Sequence, residues 1–322
     1  MTTSEMPALA RRLWRAVEPI HGVAYYAPEP AEASRSLGLV GYWMGYFVGR
    51  LAPVGPLDAP AAQALSFSFA PRRVSRALPE AWAVTTPEKA VRARLDAVSA
   101  ALTRAMTEVP GSSGRPPLVL GSAPAADPEP GAASDVDAAP PSVSREDLAR
   151  LVELLEGAVE GCSYEGRALA AAWSGVPRPD DLEGRLWLAT AVLREHRGDG
   201  HVVSVVHHGL SGLEAGVSHV ATGRVTREII QGTRGWTDEE WHGAEQRLAE
   251  RGVVDGDGRI TPAGRELRES VEAATDRLAT GPVGRLGAEG VEEAIGLALR
   301  LGRRISDDGL FPVPNPIGVP RP

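Results

Sequence analysis

VTREIIQGTRGWTDEEWHGAEQRLAERG, residues 225–252, is followed by VVDGDGRITPAGRELRESVEAATDRLA, residues 253–279. The first stretch has the apolar spacing of two helices joined by a turn. The second opens with two Asp-Gly pairs, which favour a tight hairpin because they fit turns with positive φ, and it continues as a helix. The order helix, turn, helix, hairpin, helix predicts a winged helix with a small β-wing.

The chain around this unit divides at a segment rich in Pro, Ala and Gly, residues 110–144, whose few apolar residues show no sustained helical period. The segments on either side have the apolar stripes of helices. We therefore predict an N-terminal helical domain over 1–109, a linker over 110–144, a C-terminal winged-helix domain over 145–304 and a Pro-rich tail over 305–322.

The two helical halves share a local pattern. A Thr-Pro pair opens a helix with a similar apolar stripe in each half, at Thr86-Pro87 and at Thr261-Pro262. The predicted fold is therefore mainly α, with tandem winged-helix-like halves of which the first is degenerate and lacks an obvious wing. Pro19 is predicted to end the first helix of the chain.

Composition excludes several classes of protein. The 322 residues carry 42 acidic and 34 basic side chains, a net charge of −8, so the chain as a whole is not a strongly basic DNA-binding domain, although a local basic patch stays open. A single cysteine, Cys162, permits neither an intrachain disulfide nor a cysteine-based zinc site. We see no apolar run long enough to span a membrane and no secretory signal, and we therefore expect a cytoplasmic protein.

The densest group of polar side chains falls in LREHRGDGH. Gly198 is predicted to end one helix, with Asp199 capping the next and His201 in its first turn. His196 or His201 could then move a proton, with Asp199 orienting an imidazole and Arg197 holding an anionic group. A capped turn between two helices, with no catalytic role, explains the same residues.

A second candidate set lies in the first half, in His21, Tyr25, Tyr26, Tyr46 and Arg50. Tyrosine hydroxyls and a guanidinium on an apolar wall suit an aromatic or carboxylate-bearing ligand. Plain core packing with satisfied hydroxyls is the alternative, because aromatic stripes on helices are mostly core.

Other chemistries find little support in the sequence. The seven histidines include no HExxH and no tight triad, so we predict no metal site and leave the cofactor unknown. There is no glycine-rich phosphate loop and no GxSxG, which disfavours nucleotide-binding folds and α/β hydrolases.

The second helix of the predicted helix-turn-helix, within residues 237–251, begins with three consecutive acids after Thr237. In DNA-binding proteins this helix enters the major groove, where arginine, asparagine or glutamine reaches the base edges. Acids at that point would repel phosphates, although they also stabilise a helix N-terminus. We therefore interpret this helix pair as a scaffold more than as a DNA-reading element.

Five motifs together resemble one family, the SalK-like helix-turn-helix proteins, which are distantly similar to MarR and largely of unknown function. The motifs are IHGVAYYAPE (20–29), GYWMGYFVGRLAPVGPL (41–57), LREHRGDGH (193–201), TRGWTDEEW (233–241) and RITPAGRELR (259–268). The resemblance implies winged-helix architecture in both halves, and it does not establish DNA binding.

Three functions follow as hypotheses. The first is a small-molecule-binding protein with a polar pocket between the two halves, which could also be a cofactor-independent acid/base enzyme acting on an anionic or aromatic metabolite. The second is a MarR-like, ligand-responsive regulator that binds DNA through residues 237–251. The third is a structural partner protein that uses its acidic face and Pro-rich tail.

Overall fold

The computed structural model describes residues 5–107, 143–312, 315 and 317–322, so most of the predicted linker, positions 110–142, lies outside the described residues. The described residues form fourteen α-helices and two short 3-10 helices. The α-helices are α1 (Met6–Tyr26), α2 (Pro28–Ser36), α3 (Gly41–Leu51), α4 (Ala59–Leu65), α5 (Pro71–Ser75), α6 (Pro87–Thr107), α7 (Arg145–Val159), α8 (Ala168–Ser174), α9 (Leu182–His207), α10 (Gly212–Val220), α11 (Arg227–Arg234), α12 (Asp238–Glu250), α13 (Pro262–Leu278) and α14 (Thr280–Asp307), the last broken at Gly287.

The mainly helical prediction is confirmed, and the predicted β-wing is not supported. Between α12 and α13 the described residues form no strand, and one isolated antiparallel bridge joins Val254 to Ile260. The turn is closed instead by the Asp255 side chain, which accepts hydrogen bonds from the backbone N–H groups of Asp257 at 3.0 Å and Arg259 at 2.8 Å. Helix α13 begins two residues after Ile260, which leaves no chain for a longer ladder.

Two helices run past the residues that were expected to end them. Helix α1 continues through Pro19, and helix α9 continues through Gly198 and Gly200, so both predicted helix ends are wrong. A Cβ at Gly200 would lie 2.6 Å from Nη1 of Arg167 and 3.3 Å from Cβ of Leu278. Gly200 therefore lets the side chains of Arg167 and Leu278 pack closely against α9, and it does not end the helix.

Three apolar cores hold the helices together. The largest surrounds the fully buried Trp187 and draws side chains from α1, α6, α7, α9 and α14, so both predicted halves contribute to it. A second core, around Phe47, comes mainly from α3–α6 and the loops between them, with Leu169 of α8 added from the second half. The third, around Trp241, lies mainly within α10–α13. Segments of the first half meet α10 and α11 between these cores, and that junction positions the site described below.

The helix-turn-helix consists of α11, a turn over residues 235–237, and α12. Gly235 adopts the left-handed conformation, with φ of 82°, that lets the chain leave α11 sharply. Thr237 and Glu240 then form a capping box at the start of α12. The turn docks on the first half, because Nε1 of Trp236 donates to the backbone carbonyl of Ser68 at 3.0 Å.

Candidate functional site

A cavity of about 300 Å³, the central cavity, lies among α1, α3, α9, α10, α11, α13 and the loop after α4. Its wall combines apolar side chains with an unusual number of arginines. The titratable side chains that line it are Glu18, Tyr46, Arg50, Arg194, Arg197, His201, His219, Arg234, Arg268 and Glu272.

The continuity of α9 decides which of its polar residues meet in this cavity. Arg197 and His201 are four residues apart and share one face of the helix with Arg194. His196 and Asp199 lie on the other side and are not part of the wall. The four residues that were expected around one turn are therefore divided between two faces.

Asp199 has a helix-capping role in the structure. Its Oδ2 accepts hydrogen bonds from the backbone N–H groups of Leu169 and Ala170, both at 3.0 Å, at the start of α8. No imidazole of the described residues bonds to it, so the expectation that Asp199 orients a histidine is wrong. Burial raises its pKa to about 6. His196 is buried, and burial lowers its pKa to about 4.

The orientation of His201 is set by Thr275. Nδ1 of His201 lies 3.0 Å from Oγ1 of Thr275, and that hydroxyl donates its proton to the carbonyl of Val271 at 2.8 Å. Since a hydroxyl has one proton to give, Nδ1 of His201 must be the donor. Burial lowers the pKa of His201, so the ring is neutral at neutral pH and its Nε2 carries a lone pair.

Arg197 is already paired within the protein. Its Nη2 lies 2.9 Å from Oδ1 of Asp276 and 3.3 Å from Oε2 of Glu272. Its guanidinium also stacks over the ring of Trp14, 4.2 Å from the centroid. The carboxylates around Arg197 leave little of its charge for an incoming anion.

A buried network of charges forms another part of the wall. Arg50 donates from Nε and Nη2 to Glu195 at 2.9 and 2.8 Å, and Nη1 of Arg194 donates to the same carboxylate at 2.9 Å. These guanidinium groups hold the pKa of Glu195 well below its usual range. Glu18 lies 3.6 Å from Arg194 and accepts from Nε1 of Trp14 at 2.9 Å, yet burial raises its pKa.

Two arginines in the wall have no carboxylate partner among the described residues. The guanidinium of Arg234 lies over the ring of Phe69, 4.5 Å from its centroid, and forms no ion pair with a described residue. Arg268 donates to Oγ of Ser218 at 3.0 Å and to Nδ1 of His219 at 3.1 Å. Burial lowers the pKa of both arginines, because desolvation disfavours the charged form, and for Arg268 this outweighs the opposing effect of Glu272.

The predicted ligand residues on α1 are buried in a stack of their own. Because α1 continues past Pro19, His21 and Tyr25 lie one turn apart, with Nε2 of His21 3.1 Å from the Tyr25 hydroxyl. The His21 ring stacks on Trp187 at 5.3 Å. Tyr26 is also buried and contributes to the same core. None of the side chains of His21, Tyr25 and Tyr26 lines the central cavity.

Of the predicted site residues, the structure brings Tyr46, Arg50, Arg197 and His201 together in this wall. Glu18, Arg234 and Arg268 also line this wall and were not among the predicted site residues. One signal was available, since Arg268, Val271 and Thr275 follow helical spacing on α13. This spacing shows that the three residues share one face of α13, but it does not show which other elements of the protein that face contacts.

The exposed end of α12 is acidic in the structure as in the sequence. Oε1 of Glu240 pairs with Nη1 of Arg72 of the first half at 2.8 Å, and Asp238 pairs with Arg227 at 2.7 Å. The Asp238 side chain remains 80% exposed. The start of the helix therefore presents carboxylates where a DNA-reading helix meets phosphates.

Within the described ranges, no group of three or more His, Cys, Asp and Glu side chains could hold a metal ion. In the same part of the chain, no helix combines the length and the apolar character needed to cross a membrane.

The sequence model of a helix-turn-helix family matches residues 10–127 and 125–312. The two matches together span most of the chain and include both α11 and α12. Neither a curated protein nor a solved structure matches the sequence. On the extent of the family match, the chain belongs to this helix-turn-helix family.

Proposed function

We propose that this helix-turn-helix protein binds an anionic small molecule in the central cavity. One observation carries the proposal: Arg234 and Arg268 face the cavity without a carboxylate partner among the described residues. A partly desolvated guanidinium without a counter-charge is costly, and a carboxylate or phosphate ligand offsets that cost with charge-assisted hydrogen bonds.

The position and size of the cavity fit this function. Its volume of about 300 Å³ is at the lower end of the range for small-molecule sites. Its walls come from both predicted halves, with Tyr46 and Phe69 on one side and α10, α11 and α13 on the other. A ligand there would contact α11, the first helix of the helix-turn-helix.

The cavity also offers a group that can accept a proton. His201 is neutral, its Nδ1–H is committed to Thr275, and its Nε2 lone pair has no hydrogen-bond partner among the described residues. We therefore propose His201 as the general base if the bound anion is also a substrate. Replacing His201 with Ala would then abolish turnover while the protein stays folded.

Ligand binding is tested by titration calorimetry with malonate and inorganic phosphate, together with native mass spectrometry of the freshly purified protein. Arg234→Met and Arg268→Met should each weaken binding at least about tenfold, which corresponds to roughly 1.4 kcal/mol. Arg92→Met on α6 is the matched control, because Arg92 is exposed and lies outside the cavity. Unchanged affinity in both cavity variants, or no bound anion in either experiment, would contradict the proposal.

The family match favours a second candidate, a ligand-responsive regulator that contacts DNA through residues 237–251. This function is compatible with a ligand that contacts α11. It requires the duplex to approach an acidic helix end, so binding would depend on nearby arginines such as Arg227. Retention of duplex DNA measured against salt concentration tests it: a regulator shows a steep negative slope, and Arg227→Ala lowers that slope. A lack of retention even at low salt would exclude this candidate.

A further inference from the structure

A second cavity, of about 180 Å³, shares Tyr46 with the central cavity as a lining residue. It is enclosed by the end of α1 and by α2, α3 and α6. Three tyrosines line it, Tyr25, Tyr42 and Tyr46, together with Arg94 of α6. Most of the other lining residues are Gly, Ala, Ser or Pro, whose small side chains leave the space open.

Arg94 is the unusual member of this wall. The residue is only 7% exposed, yet its guanidinium makes no hydrogen bond or ion pair with any described residue. Its Nε is buried without a partner. The contacts that it makes are with ring faces, at 5.0 Å from the centroid of Tyr25 and 5.2 Å from that of Trp187.

Ring faces attract a guanidinium, but they do not accept its five N–H donors in the way that a carboxylate does. Buried arginines elsewhere in the chain show the contrast. Arg50, which is similarly enclosed, donates two hydrogen bonds to the Glu195 carboxylate. Burial lowers the pKa of Arg94, whereas the carboxylate raises that of Arg50. Arg94 therefore lacks a counter-ion that the other buried arginine has.

The backbone beside Arg94 leaves space for this side chain. A Cβ at Gly49 of α3 would collide with Nη1 of Arg94. The guanidinium consequently lies between Gly49 and the ring of Tyr25, in the lining of the cavity.

We propose that the second cavity binds an aromatic monocarboxylate, with the carboxylate paired to Arg94 and the ring packed among Tyr25, Tyr42 and Tyr46. Of the two arginines that line this cavity, Arg94 is buried and Arg35 of α2 is exposed. The buried guanidinium favours one anionic group, and three aromatic rings favour a flat aromatic body. The site is separate from the central cavity, and Tyr46 is the tyrosine that lines both.

Benzoate is the probe, and its neutral analogue benzamide is the control for charge. Calorimetric titrations are made on the full chain carrying Arg234→Met and Arg268→Met, so that the unpaired arginines of the central cavity do not contribute. Benzoate should bind this protein at least tenfold more tightly than benzamide does. Adding Arg94→Met should remove that preference and weaken benzoate at least tenfold, while Arg94→Lys should restore part of it.

Two further variants keep the test decisive if Arg94→Met does not fold. Gly49→Ala displaces the guanidinium by its Cβ, and Ala93→Phe fills the cavity while leaving Arg94 in place. Each should weaken benzoate at least tenfold. The proposal is overturned if benzoate does not bind, if benzamide binds equally well, or if the folded Arg94 and Gly49 variants bind benzoate with unchanged affinity.

Discussion

Nδ1 of His201 lies 3.0 Å from Oγ1 of Thr275, and this pair determines which nitrogen of the imidazole carries the proton. The hydroxyl of Thr275 donates its own proton in a hydrogen bond to the carbonyl of Val271. His201 therefore presents an unprotonated Nε2, the state needed to accept a proton or a hydrogen bond from a ligand.

Replacing Thr275 with Val should release this constraint. The two side chains have nearly the same shape, and Thr275 is fully buried, so the change removes the hydroxyl with little change in packing. The Val271 carbonyl loses the Thr275 hydroxyl but still accepts from Oγ of Ser204 at 3.0 Å. We expect His201 to become a mixture of tautomers, and stability to fall by about 1–3 kcal/mol because a buried N–H loses its partner. Imidazole nitrogen chemical shifts report the tautomer.

Thr190→Val is the control for this experiment, because the Thr190 hydroxyl is also buried and donates to a backbone carbonyl, that of Trp187. It should leave the His201 signals unchanged. A wild-type protein with the proton on Nε2 of His201 would contradict the assignment.

Replacing Glu195 with Gln should destabilise the fold strongly. The change leaves Arg50 and Arg194 without their shared counter-charge in a buried place, and losing one partner of such a network typically costs about 3–5 kcal/mol. Urea unfolding at neutral pH measures the loss. Glu153→Gln, at a surface pair in which the Glu153 side chain is 71% exposed, should have little effect.

The difference in stability between wild type and Glu195→Gln should shrink as the pH falls. Arg50 and Arg194 depress the pKa of Glu195 in the folded protein, below the ordinary value of 4.5. The stability that Glu195 contributes is therefore complete above pH 4.5 and is lost as the pH falls from there through the lower folded-state pKa. A difference between wild type and Glu195→Gln that grows on acidification would be inconsistent with this network.

The helices and several of their caps could be predicted from sequence because those signals are local. Thr261 caps α13 as expected, and Pro262 is its first residue. Pro19 and Gly198 also carry local signals, and there the prediction failed because packing on both sides keeps the helices intact. An error in a helix end also moves side chains to another face, which is why Asp199 was expected beside His201.

The unpaired arginines could not be predicted for a different reason. Arg94, Arg234 and Arg268 look like other arginines in the sequence, and what distinguishes them is that none forms an ion pair with a carboxylate of the described residues. Pairing of charges is decided by which helices meet, which the sequence of one chain does not show. The acidic start of α12 follows directly from the sequence.

Replacing Asp199 with Asn should preserve the cap of α8. Both hydrogen bonds go to one oxygen, Oδ2, and an amide oxygen can accept both. The folded protein raises the Asp199 pKa from 3.8 to about 6, so its ionisation costs stability as the pH rises through that interval. At neutral pH we therefore expect Asp199→Asn to be at least as stable as wild type, measured by thermal unfolding.

Asp199→Ala supplies the contrast, since it leaves two N–H groups without an acceptor and should cost about 1–2 kcal/mol. Ligand affinity in the central cavity should be unaffected by the Asn variant, because Asp199 lies outside its wall. A large loss of affinity with normal stability would restore the role in the site that the sequence suggested for Asp199.

Replacing Gly212 with Ala should push apart the two sides of the central cavity. A Cβ at Gly212, the first residue of α10, would collide with the backbone carbonyl of Phe67, and both residues line the cavity. Neither backbone can rotate away as a side chain could, so overpacking should cost about 1–3 kcal/mol and weaken ligand binding. Gly296→Ala on α14 is the matched control, because a Cβ there meets nothing within 4 Å and should stabilise the helix by about 0.5–1 kcal/mol. Thermal unfolding and anion titration measure both effects, and equal stability of the two variants would mean that α10 does not approach the loop after α4 this closely.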